Sequence, residues 1–176
     1  IFSYKKPLAE KFLASIKQAL ESKFLKTLFP DVLYDNPDRE SPSWSVMNGI
    51  TVRRKNDTRT EPTVYASGLS EGMATGFHAE RRIYDDVETA DMAGSPDVMN
   101  DCYDKFDLSS FLGTKTADDL ERVVGTFYHW EGPLARIQRL KKPDGASMYH
   151  ARVIPGTKDG QPNGEPERCD FTHRED

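Results

Sequence analysis

The sequence predicts an α/β fold, a mostly parallel sheet flanked by helices with a β-hairpin as an insertion or at its edge. Three observations carry this expectation. Apolar residues recur at helical spacing between Pro7 and Leu28, short strand-forming runs alternate with further helical stretches, and Asn48-Gly49 separates two β-favouring runs.

The elements follow in order. Leu8, Phe12, Ile16, Leu20, Phe24 and Leu28 form one apolar stripe, widened by Leu13 and Leu25, so a single helix is expected, ended by Pro30. Residues 31–43, "DVLYDNPDRESPS", are rich in Pro, Asp and Ser and read as a loop. "WSVMNGITVRR" then predicts the hairpin over 44–54. "PTVYASG" is the next strand, followed by the glycine-bearing loop "LSEGMATGFHAE" and a short strand ending at Tyr84. Val98, Cys102 and Phe106, with Met99 and Tyr103, predict a helix over 97–112. "ERVVGTFYH" reads as a strand running into a Gly-Thr turn, 133–140 as a helix, and "SMYHARVI" as a last strand. The tail from Pro155 has no periodicity, and there is no internal repeat.

Bulk properties narrow the function classes. A chain of 176 residues, 36% hydrophobic and 30% charged, suits one compact domain with a polar surface. The formal charge of −5 excludes a protein that coats nucleic acid by bulk charge, so any such contact is local. Cys102 and Cys169 make no disulfide framework, which points to a reducing cytoplasm. No apolar run approaches the roughly 20 residues of a membrane span, so no membrane partner is expected. The opening "IFSY" and the polar ending "CDFTHRED" suggest a piece of a longer protein.

The chemistry centres on "RRIYDDVE", where Asp85 and Asp86 directly follow a strand. Neighbouring strand side chains face opposite ways, so two such carboxylates divide their work at a strand end: one coordinates a cation and the other orients a water. Two unit charges about 6 Å apart repel by roughly 3 kcal/mol at an effective dielectric of 20 and by about 0.7 kcal/mol in water. Buried, the pair needs a cation; exposed, it is an ordinary solvated turn. Ligands of open α/β sheets bind beyond the carboxyl ends of strands, and "RVVGT" ends in a small polar turn of the same style. Together the two ends suggest a phosphate and metal site.

These residues also carry a family resemblance. "TGFHAERRIYDD", "VVGTFYHWEGPLARI" and the opening "SYKKPLAEKFLASIKQALESKFLKTLFPD" resemble the ATPase domain of the large terminase subunit of tailed bacteriophages, the motor that pumps DNA into proheads. The resemblance implies a partial P-loop NTPase core of the ASCE type over residues 1–154, with 155–176 as a linker toward a nuclease domain. It makes Ile83-Tyr84-Asp85-Asp86 the Walker B strand. Asp85 would hold Mg2+ and Asp86 would activate the water that attacks ATP. Gly125, Thr126 and His129 would form the coupling motif that senses the γ-phosphate. Double-stranded DNA, a portal protein, a small terminase subunit and further copies in a ring are the implied partners, and the host cytoplasm the implied location.

The chain departs from the family pattern at several points. Asp86 stands where the wider ATPase class has Glu, Arg81 and Arg82 precede Ile83 where apolar residues are common, and Phe127-Tyr128 replaces an expected Arg-Trp. No G-x-x-x-x-G-K-[ST] occurs, so no residue here is assigned to the phosphate cradle, which is expected upstream of Ile1. Without it, this piece alone should neither bind ATP tightly nor turn it over.

Other candidates are His78, in the glycine-bearing loop, a group approaching the nucleotide or a local hydrogen-bonding group, and the basic group Arg53, Arg54, Lys55 and Arg59, a DNA-phosphate contact or a solvated hairpin end. Cys169 and His173 have a spacing that fits half of a zinc site, with no partner pair near them in the sequence, and Trp44 and Trp130 read as packing residues. A Mg2+-dependent nuclease using Asp85, Asp86 and Glu88 or Asp91 is the competing enzyme reading. A non-catalytic module binding DNA or the portal through the basic hairpin is the third.

Overall fold

A computed structural model describes residues 1–55, 59–71, 76–114 and 119–154. The chain divides into two compact units, residues 1–137 and 138–176. The first is an α/β unit built on a four-stranded, all-parallel sheet, with a separate two-stranded antiparallel hairpin.

Strand β1, Phe2–Ser3, opens the chain and lies inside the sheet, a position with no local signal because the strand is two residues long. Helix α1, Lys6–Leu20, buries Ala9 and Leu13. The expected single helix is instead two: Ser22 takes an extended conformation and its hydroxyl accepts from the Leu25 N–H at 3.3 Å, capping α2, Lys23–Leu28. The apolar stripe therefore stops being core at the break, and Phe24 and Leu28 stay exposed. The Pro-rich loop contains a single helical turn, α3, Pro37–Glu40.

The hairpin pairs β2, Trp44–Ser45, with β3, Gly49–Ile50, across a turn formed by residues 46–48. Gly49 sits at φ +88, and a side chain there would also strike Pro62, so the glycine is required. Trp44 and Ile50 join Ala9, Leu13 and Ala66 in one buried cluster, and the Trp44 indole donates to Glu21 at 2.8 Å. The hairpin is thus an insertion packed on α1, separate from the main sheet.

Strand β4, Ser67–Gly68, pairs with β1, which pairs with β5, Arg81–Asp85, which pairs with β6, Leu120–Val124; the spatial order is β4-β1-β5-β6. Between β5 and β6 lies α4, Pro96–Ser109, continued by a 3-10 turn over Ser110–Leu112. One sheet face is well covered: Tyr84 is fully buried, stacks on Phe2 at 5.0 Å, meets Phe106 edge-on at 4.8 Å and shares a hydrogen bond with Ser109 of α4. On the other face α1 crosses β1 and β4 so closely that a Cβ on Gly68 would come within 2.3 Å of the Lys6 nitrogen. Over β5 and β6 that same face is bare, with Ile83, Leu120 and Val124 44%, 50% and 52% exposed. Parallel sheets normally bury both faces. Among the described residues β6 also has no partner on its outer side.

The first unit ends in α5, Pro133–Arg139, whose last two residues belong to the second. In that second unit, Lys141 and Ser147 form an isolated antiparallel bridge around a turn with Gly145 at φ +83. The strand expected over 147–154 does not form; Met148, Val153 and Ile154 are exposed and, among the described residues, belong to no strand. No helix among the described residues is long and apolar enough to cross a membrane. The linker from residue 155, with Cys169 and His173, lies outside the described residues.

Candidate functional site

Because all four strands run parallel, their carboxyl ends share one edge. Asp85 is the last residue of β5 and pairs in register with Val124, the last of β6, so Gly125 and Thr126 leave the sheet directly beside Asp86. The Asp86 N–H donates to the Val124 carbonyl at 3.1 Å, and the Tyr4 N–H beyond β1 donates to the Asp86 carbonyl at 3.4 Å. The backbone between the two carboxylates is thus held from both neighbouring strands.

The two aspartates differ in conformation and surroundings. Asp85 is half-buried in regular strand; burial, with the Asp86 charge second, raises its carboxyl above the ordinary range. Asp86 has φ 49, the single described non-glycine residue with positive φ, and is exposed. This left-handed conformation costs about 1–2 kcal/mol for most residues and is one that Asp tolerates well. It ends the strand alternation, so Asp86 projects from a turn while Asp85 still belongs to the sheet. Neither carboxylate has a hydrogen bond or ion pair among the described residues.

Glu88, two residues on, behaves otherwise. It is 1% exposed, and its carboxylate accepts three backbone N–H groups: Tyr128 and His129 at 3.0 Å on Oε1, and Leu134 at 3.0 Å on Oε2. A Cβ at Gly132 would come within 2.3 Å of Oε1, so the chain at this point wraps the carboxylate with no side chain between. Val87 is buried beside it, and its carbonyl accepts the Cys102 thiol from α4. Sequence reasoning offered Glu88 as a possible metal ligand; its oxygens are instead occupied by the turn that carries His129. No local signal announces this, because the donors lie some 40 residues away.

His129 lies on that turn, its Nδ1 accepting from the Glu131 N–H at 3.1 Å and its ring tilted against Trp130 at 5.8 Å. Trp130 is 71% exposed and is not a core residue, unlike Trp44. A small cleft at the same sheet edge brings Lys5, Asp86, Thr89 and Asp91 around Tyr4 and Met92. His78 precedes the amino end of β5 and is exposed, so the length of that strand separates it from the aspartates. The basic group is largely spent on internal contacts. Arg53 bonds to Glu40 and to the Pro30 carbonyl, Arg54 to Thr63 and the Glu61 carbonyl, and Arg59 to Glu80.

No protein-family model matches the chain, and no curated protein does.

Among the described residues no group of three or more His, Cys, Asp or Glu side chains is arranged to hold a metal ion. Mg2+ keeps several waters and takes one or two carboxylates plus substrate phosphates, so it does not require such a group. Asp85 is a half-buried carboxylate with no partner among the described residues.

Proposed function

We propose that this chain is part of the ATPase motor of a viral DNA-packaging terminase, hydrolysing ATP to drive double-stranded DNA into a prohead. The observation that carries the proposal is the adjacency of two parallel strand ends, Asp85-Asp86 and Gly125-Thr126, tied by the Asp86 N–H to the Val124 carbonyl. A triphosphate bound there would lie beyond the carboxyl edge of the sheet, where open α/β folds bind ligands.

In this reading Asp85 holds the cation from within the strand, and Mg2+, when bound, neutralises charge developing on the phosphates. Asp86, turned out of the strand by its positive φ, faces solvent and orients the attacking water. Thr126 and His129 stand on the neighbouring turn, where they sense the terminal phosphate. The outer side of β6, which pairs with no strand among the described residues, and the bare face formed by Ile83, Leu120 and Val124 suit a further strand and helix, the kind of unit that carries a glycine-lysine phosphate cradle. The portal protein, a small terminase subunit and a ring of copies are partners in this reading, and the host cytoplasm is its setting.

The test is ATP hydrolysis by the complete protein. Asp86→Asn should lower turnover by about 100-fold or more, the scale of a lost general base, while ATP binding persists. Unchanged hydrolysis in Asp86→Asn, or DNA cleavage without ATP that requires Asp85, would sink the motor reading.

A further inference from the structure

We propose that Glu88 is a positioning residue that links the acidic strand end to the His129 turn. It sits two residues beyond Asp86, and both ends of that short segment are fixed: Asp86 by backbone bonds to Tyr4, just beyond β1, and to Val124 of β6, and Val87 by the Cys102 thiol. From there the buried carboxylate spans to Tyr128, His129 and Leu134, so three backbone N–H groups of a distant segment depend on one side chain. No cation neutralises Glu88 among the described residues; the oriented N–H groups alone solvate it, an arrangement that is strong and strict about position. Gly132 leaves the carboxylate no slack, since any side chain there would occupy its place. A displacement of Asp86 therefore has a short, stiff route to His129 and Trp130, by way of Val87 and Glu88. The meaning of that signal, nucleotide state passed to the coupling turn, rests on the motor reading; the mechanical link does not.

The two tryptophans make the link measurable. The chain is labelled with 5-fluorotryptophan and its two fluorine resonances are assigned through Trp130→Phe. Asp86→Asn, at an exposed site, is expected to move the Trp130 resonance and leave that of Trp44, in the α1 cluster, in place. Introducing Asp86→Asn into a Glu88→Gln background is expected to reduce the Trp130 displacement at least twofold. An unmoved Trp130 resonance with Glu88 intact overturns the proposal without needing the Glu88 variant to fold. A displacement of equal size in both backgrounds overturns it as well. ATP is absent throughout, so failure of the link is distinct from failure of the ATPase reading, which is judged by turnover.

Discussion

At its amino end β5 buries the Arg82 guanidinium against Asp119 at 2.7 Å and Glu121 at 2.8 Å; at its carboxyl end Asp85 and Asp86 have no partner among the described residues. One short strand therefore treats charge in two ways. Arg82 is 5% exposed and its partners are largely shielded, so its buried charge is matched by two carboxylates, one on the neighbouring β6 and one just before it. The aspartate carboxylates sit at the sheet edge with no hydrogen-bond or ion-pair partner among the described residues. Charge at one end is matched across the β5–β6 pairing, and charge at the other is not.

The largest effect should come from breaking the compensated end. Arg82→Ala removes the buried guanidinium that contacts both Asp119 and Glu121 and should cost about 3–5 kcal/mol in urea denaturation. A loss below about 1 kcal/mol would mean that water reaches these carboxylates and that the contrast between the ends is smaller than their burial implies. An intermediate effect is expected from Gly132→Ala, which pushes a Cβ into the Glu88 carboxylate and disturbs its three N–H bonds, for about 1–3 kcal/mol by the same measurement.

The smallest effect sharpens the uncompensated end. Burial, and then Asp86, raises the Asp85 carboxyl above its ordinary 3.8, so the ionised form opposes folding at neutral pH. As pH falls through the raised folded value, the folded chain takes up its proton first and the penalty fades, vanishing below the unfolded value. Asp85→Asn should therefore raise the melting temperature slightly at pH 7, with the gain shrinking as the solution is acidified. A melting temperature lowered at pH 7 would show that Asp85 already has a favourable partner.

How much of this was legible in the sequence depends on the range of the forces involved. Helices α1, α4 and α5 were readable because their apolar periodicity is local, and β5 and β6 because short β-favouring runs are bounded by turns. The acidic pair at a strand end was equally plain, since alternation and a following turn are features of adjacent residues. Strand β1 was invisible: two residues have no period, and Phe2 is a strand because Ser67 and Tyr84 lie on either side of it. The break at Ser22 was missed because the apolar stripe continues through it while the core does not. The expected strand over 147–154 had β-favouring residues but, among the described residues, pairs only at its start, where Ser147 meets Lys141, and so short a pairing gains too little to extend. Arg82 looked like an interruption of a buried strand, yet it is Arg82 that is buried and Ile83 that is exposed, because the carboxylates that permit this come from residues 119 and 121. Glu88 is the same case with opposite sign, a charge whose burial is decided by a turn distant in the chain.

The position of β6 at the edge of the described sheet has a practical consequence for anyone handling this chain in isolation. An edge strand next to bare apolar side chains is a template that an extended peptide can join, including another molecule of the same protein. Aggregation at high concentration would begin along this border, and a charged substitution at Leu120 or Val124 is the place to suppress it.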